Sequence, residues 1–126
     1  MEKVTTKNAP APAGHYSQAI VHNGLVFVSG QLAINPETRE PVTDSIEAQT
    51  EQCLHNVEAV LLAANSDLQH VLKMTVYVPD ENLWGAVNKV YARVLGEHKP
   101  ARAIIPVNKF RGEFLIEIEA IAAVKS

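Results

Sequence analysis

Three charged side chains stand in segments whose other residues are uncharged. Arg102 is the one charged residue from Pro100 to Val107, and Glu117 and Glu119 interrupt the apolar run from Phe114 to Val124. Both segments are rich in Ile, Val and Ala and read as strands buried on at least one face, where an unpaired charge is costly. An arginine presents a planar fork of donors matched to a carboxylate, and a glutamate can take up a proton or orient a water molecule. Together they define a candidate site for a small acid. The competing structural reading is an interface salt bridge between Arg102 and one glutamate, with no chemistry attached. Strand alternation puts Phe114, Ile116, Ile118, Ala120, Ala122 and Val124 on one face and Leu115, Glu117, Glu119 and Ile121 on the other. Alternation alone therefore does not choose between the two glutamates.

Other chemistries lack their residues. His15, His22, His55, His70 and His98 include no i,i+4 pair, and the single cysteine, Cys53, supplies neither a thiolate cluster nor an internal disulfide. Cys53 falls on an apolar helical stripe and reads as a small buried hydrophobe. No Walker loop, dinucleotide-binding fingerprint or Gly-x-Ser-x-Gly elbow occurs, so no metal or nucleotide cofactor is expected. At 126 residues, 47% hydrophobic and 20% charged, the chain reads as one domain, 1–126. A net charge of −3 argues against electrostatic capture of nucleic acid. No apolar run approaches a membrane span, and the N-terminal residues resemble neither a signal nor a transit peptide, which leads to an expectation of a cytoplasmic location, with a mitochondrial one left open.

The elements that must position these side chains follow from period and punctuation. Residues 8–14 carry two prolines and a glycine and read as an extended arm. Tyr16–Val21 and Leu25–Ser29 read as strands joined at Asn23-Gly24, the strongest short signal for a tight hairpin. Gly30 after the second strand permits a bulge or the close approach of another group; a plain strand-end turn is the alternative. The prolines of 35–41 mark a surface loop or a second hairpin turn. Asp44, with Glu47 three residues later, reads as the cap of a helix whose stripe is Ile46, Cys53, Leu54, Val57, Leu61 and Ala64. Val71–Val78 alternates as a strand, and Asp80–Asn82 caps a second helix closed near Gly96, from which Asn88 and Tyr91 project three residues apart. Two helices covering one face of a sheet leave the other face bare, and without a third helix the natural cover is another subunit.

The residues in this order resemble the YjgF/RidA family of enamine/imine deaminases. The resemblance rests on Asn8-Ala-Pro-Ala-Pro, Tyr16-Ser-Gln-Ala, Ser29-Gly-Gln31, Asn56, Lys73-Met-Thr-Val-Tyr77, Asp80, Asn88-x-x-Tyr91, Pro100-Ala-Arg102 and Ile116-Glu-Ile-Glu-Ala-Ile-Ala, and spans nearly the whole chain. It implies an α+β, chorismate-mutase-like subunit, a mixed sheet with two helices packed on one face, assembling as a homotrimer with sites in inter-subunit clefts. It implies hydrolysis of imines and enamines such as 2-aminoacrylate to 2-oxo acids and ammonia, without a cofactor. By resemblance Arg102 binds the substrate carboxylate and Glu117 positions the attacking water, while Glu119 is structural or interfacial. Gly30 approaches the ligand, Tyr16 lines the cleft, and Asn88 and Tyr91 lie near it. Ile104, His15, Phe110-Arg111 and Arg39 depart from the common family pattern, which changes the cleft wall. Members have also been described as endoribonucleases and translation inhibitors, and a cleft that only binds 2-oxo acids, or a chaperone-like module, is the third alternative.

Overall fold

In the computed structural model, which describes residues 1–126, the chain forms six strands and two helices in the order β1 (Glu2–Val4), β2 (Ala19–His22), β3 (Leu25–Gln31), α1 (Ile46–Ala63), β4 (Val71–Val78), α2 (Trp84–Leu95), β5 (Ala101–Pro106) and β6 (Glu117–Ala123). The strands build one mixed sheet in the order β1-β2-β3-β6-β4-β5. Only β4 and β5 run parallel, and α2 supplies the crossover that such a pair requires. Packing of α1 on β3 and β6, and of α2 against α1, gives the expected α+β arrangement with both helices on one face. Alternation holds in β6: Ile118, Ala120 and Ala122 are buried under the helices, while Glu117, Glu119 and Ile121 are half-exposed on the other face.

The Asn23-Gly24 turn forms as its sequence requires, with φ of 52° and 78° and His22 paired to Leu25. Three local expectations are corrected, and one strand is added. Tyr16 lies outside the sheet in an exposed turn, because β2 begins only at Ala19. A short strand, β1, pairs with β2; its three residues are too few to show a period. Ser45 rather than Asp44 caps α1, its Oγ accepting from the Ala48 N–H at 3.0 Å, so the helix starts one turn position later. Asp80 caps a single 3₁₀ turn, Glu81–Leu83, that leads into α2, and Leu83 offers that helix no side-chain cap. Gly96 closes α2 with φ 64°, as expected. Arg39 holds a left-handed φ of 66°, a conformation that favours glycine.

Buried amides fix the loops around the sheet. Gln18 donates to the carbonyls of Thr6, Ala9 and Pro10 and accepts from the Thr6 N–H, pinning the proline-rich arm. On α1, Asn56 donates to the carbonyls of Leu32 and Ile34 at 3.1 and 2.9 Å, holding the chain just after β3. Gln49, fully buried, donates to the Glu113 carbonyl at 3.0 Å and accepts from the Leu115 N–H at 2.8 Å, holding the chain just before β6. One helix thus fixes the backbone on either side of Gly30 and Glu117. Gln49→Leu takes away the partners of the part-buried Leu115 N–H and Glu113 carbonyl, and is expected to destabilise the fold by about 1–3 kcal/mol, measurable as a lower denaturant midpoint.

Candidate functional site

The expected site residues fall into two groups. In the first, Arg102 on β5 lies level with the buried Met74 of β4, which turns its side chain towards the helices. There its guanidinium donates to Asn88 Oδ1 at 2.8 Å and stands over the Tyr91 ring, 4.8 Å from the ring centre. Asn88 and Tyr91 occupy one face of α2 because they are three residues apart, and both meet the same arginine. The contacts fix the plane of the fork and leave most of its donors free. The ion pairs of the chain join Glu51 to Arg93 and Asp67 to Lys125, with His55 and His70 beside those same carboxylates; Arg102 belongs to none. Beneath it the buried Tyr91 hydroxyl has no hydrogen-bond partner in the protein. Burial pushes that hydroxyl's pKa up, against a smaller opposing pull from Arg102.

The second group surrounds Glu117. The register of β3 against β6 slips between Val28 and Gln31, so Gly30 sits at a bulge, one of the two arrangements expected for it. A Cβ on Gly30 would overlap the Glu117 carboxylate, whose Cδ would lie only 3.0 Å away. The glycine is thus required by the close approach of that side chain. Ser29 donates from its N–H to the Gln18 carbonyl and from its Oγ to the Ser17 carbonyl at 2.7 Å, which places the exposed Tyr16 turn next to this end of the sheet. Burial, and then the neighbouring charge of Glu119, raise the pKa of Glu117, and no hydrogen bond contributes to the shift. Glu119 instead accepts from the Tyr77 hydroxyl at 2.5 Å across the diagonal of the β4–β6 pair. The two glutamates that alternation left equivalent are therefore unlike: Glu119 is engaged, and Glu117 is free. Cys53, as expected, is buried, its thiol pKa pushed up mainly by that burial.

Gly30→Ala tests the close approach directly. The displaced carboxylate is at the end of a flexible side chain, so stability should barely change. The variant should keep a near-parental melting temperature, while the displaced Glu117 carboxylate, moved out of its half-buried position, should titrate at lower pH by NMR than in wild type.

The two groups do not meet within one chain. Tyr77 lies level with Glu117 and Met74 with Arg102, so the two side chains start three residues apart along β4 and two strands apart across the sheet, about 14 Å in all. They also leave opposite faces: Arg102 reaches the helices, and Glu117 belongs to the face without them. On that bare face Phe27, 42% exposed, Lys73, Thr75, Glu119 and Ile121 border a shallow hollow of about 260 Å³. The sequence reading did not single out Gln49 or Trp84, and it named Asn56 only as a residue of the family resemblance. Gln49 and Asn56 carried a signal, as uncharged amides interrupting an apolar helical stripe; Trp84 carried one only through its i,i+4 spacing from Asn88. No set of three or more His, Cys, Asp or Glu side chains is grouped to hold a metal ion, and no helix is long and apolar enough to cross a membrane.

This fold and arrangement define an α+β domain in which the two groups of polar residues lie apart on opposite faces of one sheet. The sequence model of the Endoribonuclease L-PSP family matches residues 6–124, and the chain belongs to that family, the YjgF/RidA family of the resemblance above. It is 47% identical over 121 residues to a RutC family protein of Pyrococcus horikoshii, with 96% of each chain covered. Over the same length it is 43% identical to the chloroplastic Reactive Intermediate Deaminase A of Arabidopsis thaliana, covering 96% of this chain and 65% of that protein. Among solved structures, RidA of the Antarctic bacterium Psychrobacter sp. superposes with a TM-score of 0.93 at 35% identity, over 98% of this chain and 100% of the other. Escherichia coli TdcF with bound serine does so with 0.93 at 32% identity, over 99% and 100%.

Proposed function

We propose that the protein hydrolyses reactive imines and enamines, such as 2-aminoacrylate, to 2-oxo acids and ammonia, as a 2-iminobutanoate/2-iminopropanoate deaminase-type enzyme. The observation that carries this reading is Arg102: a partly buried guanidinium with its plane fixed by Asn88 and Tyr91 and with no carboxylate partner in its own chain. Such a fork is prepared for a substrate carboxylate. Relatives agree with the choice of ligand and reaction, since TdcF binds serine, an α-amino carboxylate, and the Arabidopsis protein is a deaminase by name.

The half-sites combine when Arg102 of one subunit faces Glu117, Gly30 and Tyr16 of a neighbour across an inter-subunit cleft, in a homotrimer whose contacts cover the bare sheet face. The bound iminium carbon is already electrophilic. Glu117 accepts a proton from water as the oxygen adds to that carbon, giving a carbinolamine. The same carboxyl returns that proton to nitrogen and takes up the hydroxyl proton as the C–N bond breaks and the carbonyl forms; ammonia leaves and carries the last proton away as ammonium, which restores the carboxylate. A carboxyl whose pKa is raised by burial and by Glu119 is suited to both transfers. The reaction requires no metal or cofactor.

The test is to generate 2-aminoacrylate or 2-iminopropanoate enzymatically and follow its decay. Wild-type protein should accelerate the loss and Glu117→Gln should not; equal rates with and without the protein reject the reading. RNA cleavage is the second activity suggested by the family's description, and a net charge of −3 gives it little electrostatic support. Cleavage that follows the oligomer through purification and falls steeply with salt would restore it.

Acid should switch the deaminase off. Glu117 must be ionised to accept a proton, so kcat/KM should fall as pH drops through its raised pKa, above the ordinary glutamate range. Removing the neighbouring charge in Glu119→Gln should move that limb to lower pH. The sign for stability is opposite. A raised folded pKa means that the folded state binds the proton more tightly, so the group's stabilising contribution is present below the unfolded glutamate pKa of about 4.3 and is lost as pH rises through the folded value. Glu117→Gln should therefore abolish activity while melting higher than wild type at pH 7–8.

A further inference from the structure

On the bare face of the sheet the register sets the residues around Glu117 in rows. Glu117, Tyr77 and Ile105 stand side by side on β6, β4 and β5; Glu119, Thr75 and Ala103 form the next row, and Ile121, Lys73 and Ala101 the one after. Glu119 therefore faces Thr75 and has two diagonal neighbours on β4, Tyr77 and Lys73. Each diagonal spans about 7–8 Å, within reach of long side chains. One offers a phenol and leads towards Glu117; the other offers a cation and leads away from it. Charge alone favours the lysine, because a carboxylate gains beside an ammonium and loses beside a second carboxylate. Glu119 nevertheless takes the Tyr77 hydroxyl, at 2.5 Å. Lys73 joins none of the chain's ion pairs, although it borders the hollow of about 260 Å³ together with Glu119, so there is room for the carboxylate on that side.

We propose that Tyr77 is a positioning residue for Glu117: its hydroxyl holds Glu119 against the pull of Lys73 and keeps that carboxylate beside Glu117, which sets the pH range in which Glu117 exchanges its proton. The inference deepens the proposed deaminase reading and rests on it for the effect on turnover. A like charge held close favours the protonated form of its neighbour, and the charge of Glu119 is, after burial, what raises the pKa of Glu117. The Tyr77 hydroxyl is itself pushed up, first by its bond to Glu119, and so remains a donor where Glu117 titrates. Few other groups intervene. Next to β6, β3 brings the uncharged Phe27, Ser29 and Gly30, and β5 brings Ala103 and Ile105 beyond Tyr77. Cys53 of α1, beneath β6, is a thiol that burial keeps neutral, and the Tyr16 hydroxyl is taken up in its own turn, where it accepts from the Ala13 N–H at 3.3 Å. Lys73 is the one cation on these rows. Tyr77→Phe keeps the ring and removes the hydroxyl; Glu119 then turns to Lys73, and Glu117 loses its charged neighbour.

The test is a pH titration of the protein carrying ¹³C at the glutamate Cδ, followed by NMR, with the Glu117 signal assigned by its loss in Glu117→Gln. Tyr77→Phe should move the Glu117 midpoint to lower pH, towards that of Glu119→Gln, and should add nothing further in the Glu119→Gln background. A crystal structure of Tyr77→Phe should place the Glu119 carboxylate against the Lys73 ammonium. An unchanged midpoint in Tyr77→Phe overturns the proposal. So does a shift of the same size in the Glu119→Gln background, since Tyr77 would then act on Glu117 directly. The acid limb of kcat/KM for imine hydrolysis should follow the midpoint. A midpoint that moves as expected while the wild type hydrolyses no imine, or while the acid limb of an active enzyme stays in place, supports the positioning role and rejects Glu117 as the proton acceptor of that reaction.

Discussion

Arg102→Ala is expected to lower kcat/KM for imine hydrolysis by about 30- to several-thousand-fold, because truncating one member of a desolvated, hydrogen-bonded charge pair costs about 2–5 kcal/mol. The loss should appear in KM and in kcat. The carboxylate loses its anchor, and the reacting carbon loses the orientation that turns a bimolecular attack by water into a positioned one. Arg102→Lys is the sharper variant, since it keeps the charge. A lysine replaces the planar fork with a compact ammonium and loses both the stacking on Tyr91 and the directed hydrogen bond to Asn88, so most of the defect should remain. Asn88→Ala should cost less, about tenfold, because the guanidinium keeps its charge and its place over the ring and loses only its in-plane restraint. If Arg102→Ala and wild type accelerate imine decay equally, the anchor is wrong and the deaminase reading fails with it.

Mixing two inactive variants should restore activity. Within one chain Arg102 and Glu117 leave opposite faces of the sheet about 14 Å apart, so the proposed reaction needs Arg102 of one subunit and Glu117 of the next. When Arg102→Ala and Glu117→Gln chains are unfolded together and refolded at equal concentration, random assembly places an intact Arg102 opposite an intact Glu117 at about a quarter of the interfaces of a cyclic oligomer. Activity should therefore rise from near zero to about a quarter of the wild-type value, while variants mixed without exchange of subunits stay inactive. Light scattering should report about three 13.8 kDa chains for each variant. A monomer with full activity, or no recovery from mixed oligomers that have formed, would exclude the shared cleft.

The strands and helices were legible wherever one face is buried and the other is not. The alternation of β4 and β6 and the helical stripes of both helices are direct consequences of covering one sheet face, and the Asn23-Gly24 hairpin follows from the φ angles its turn demands. Misread positions lack that contrast. The strand β1 is too short to show a period, and Tyr16 precedes a strand whose start is set by the Gln18 amide and the Ser29 contacts rather than by hydropathy. Two adjacent capping residues, Asp44 and Ser45, both satisfy the local rule, so helix packing decides between them.

The sequence by itself determined which side chains were anomalous: one arginine and two glutamates in strands too apolar to hold them without cause. Spacing within a strand assigned Glu117 and Glu119 to one face and left them equivalent, since an alternating period carries no information about what lies across the sheet. The family resemblance gave them different roles, and tertiary structure supplied the physical difference, through the Tyr77 hydroxyl on β4 that engages Glu119 and the Gly30 bulge on β3 that leaves room for Glu117. It also separated Arg102 from Glu117. Fifteen residues in sequence become opposite faces of a sheet because β5 lies at the edge with its arginine turned under α2, whereas β6 lies between β3 and β4 with its glutamates turned away from the helices.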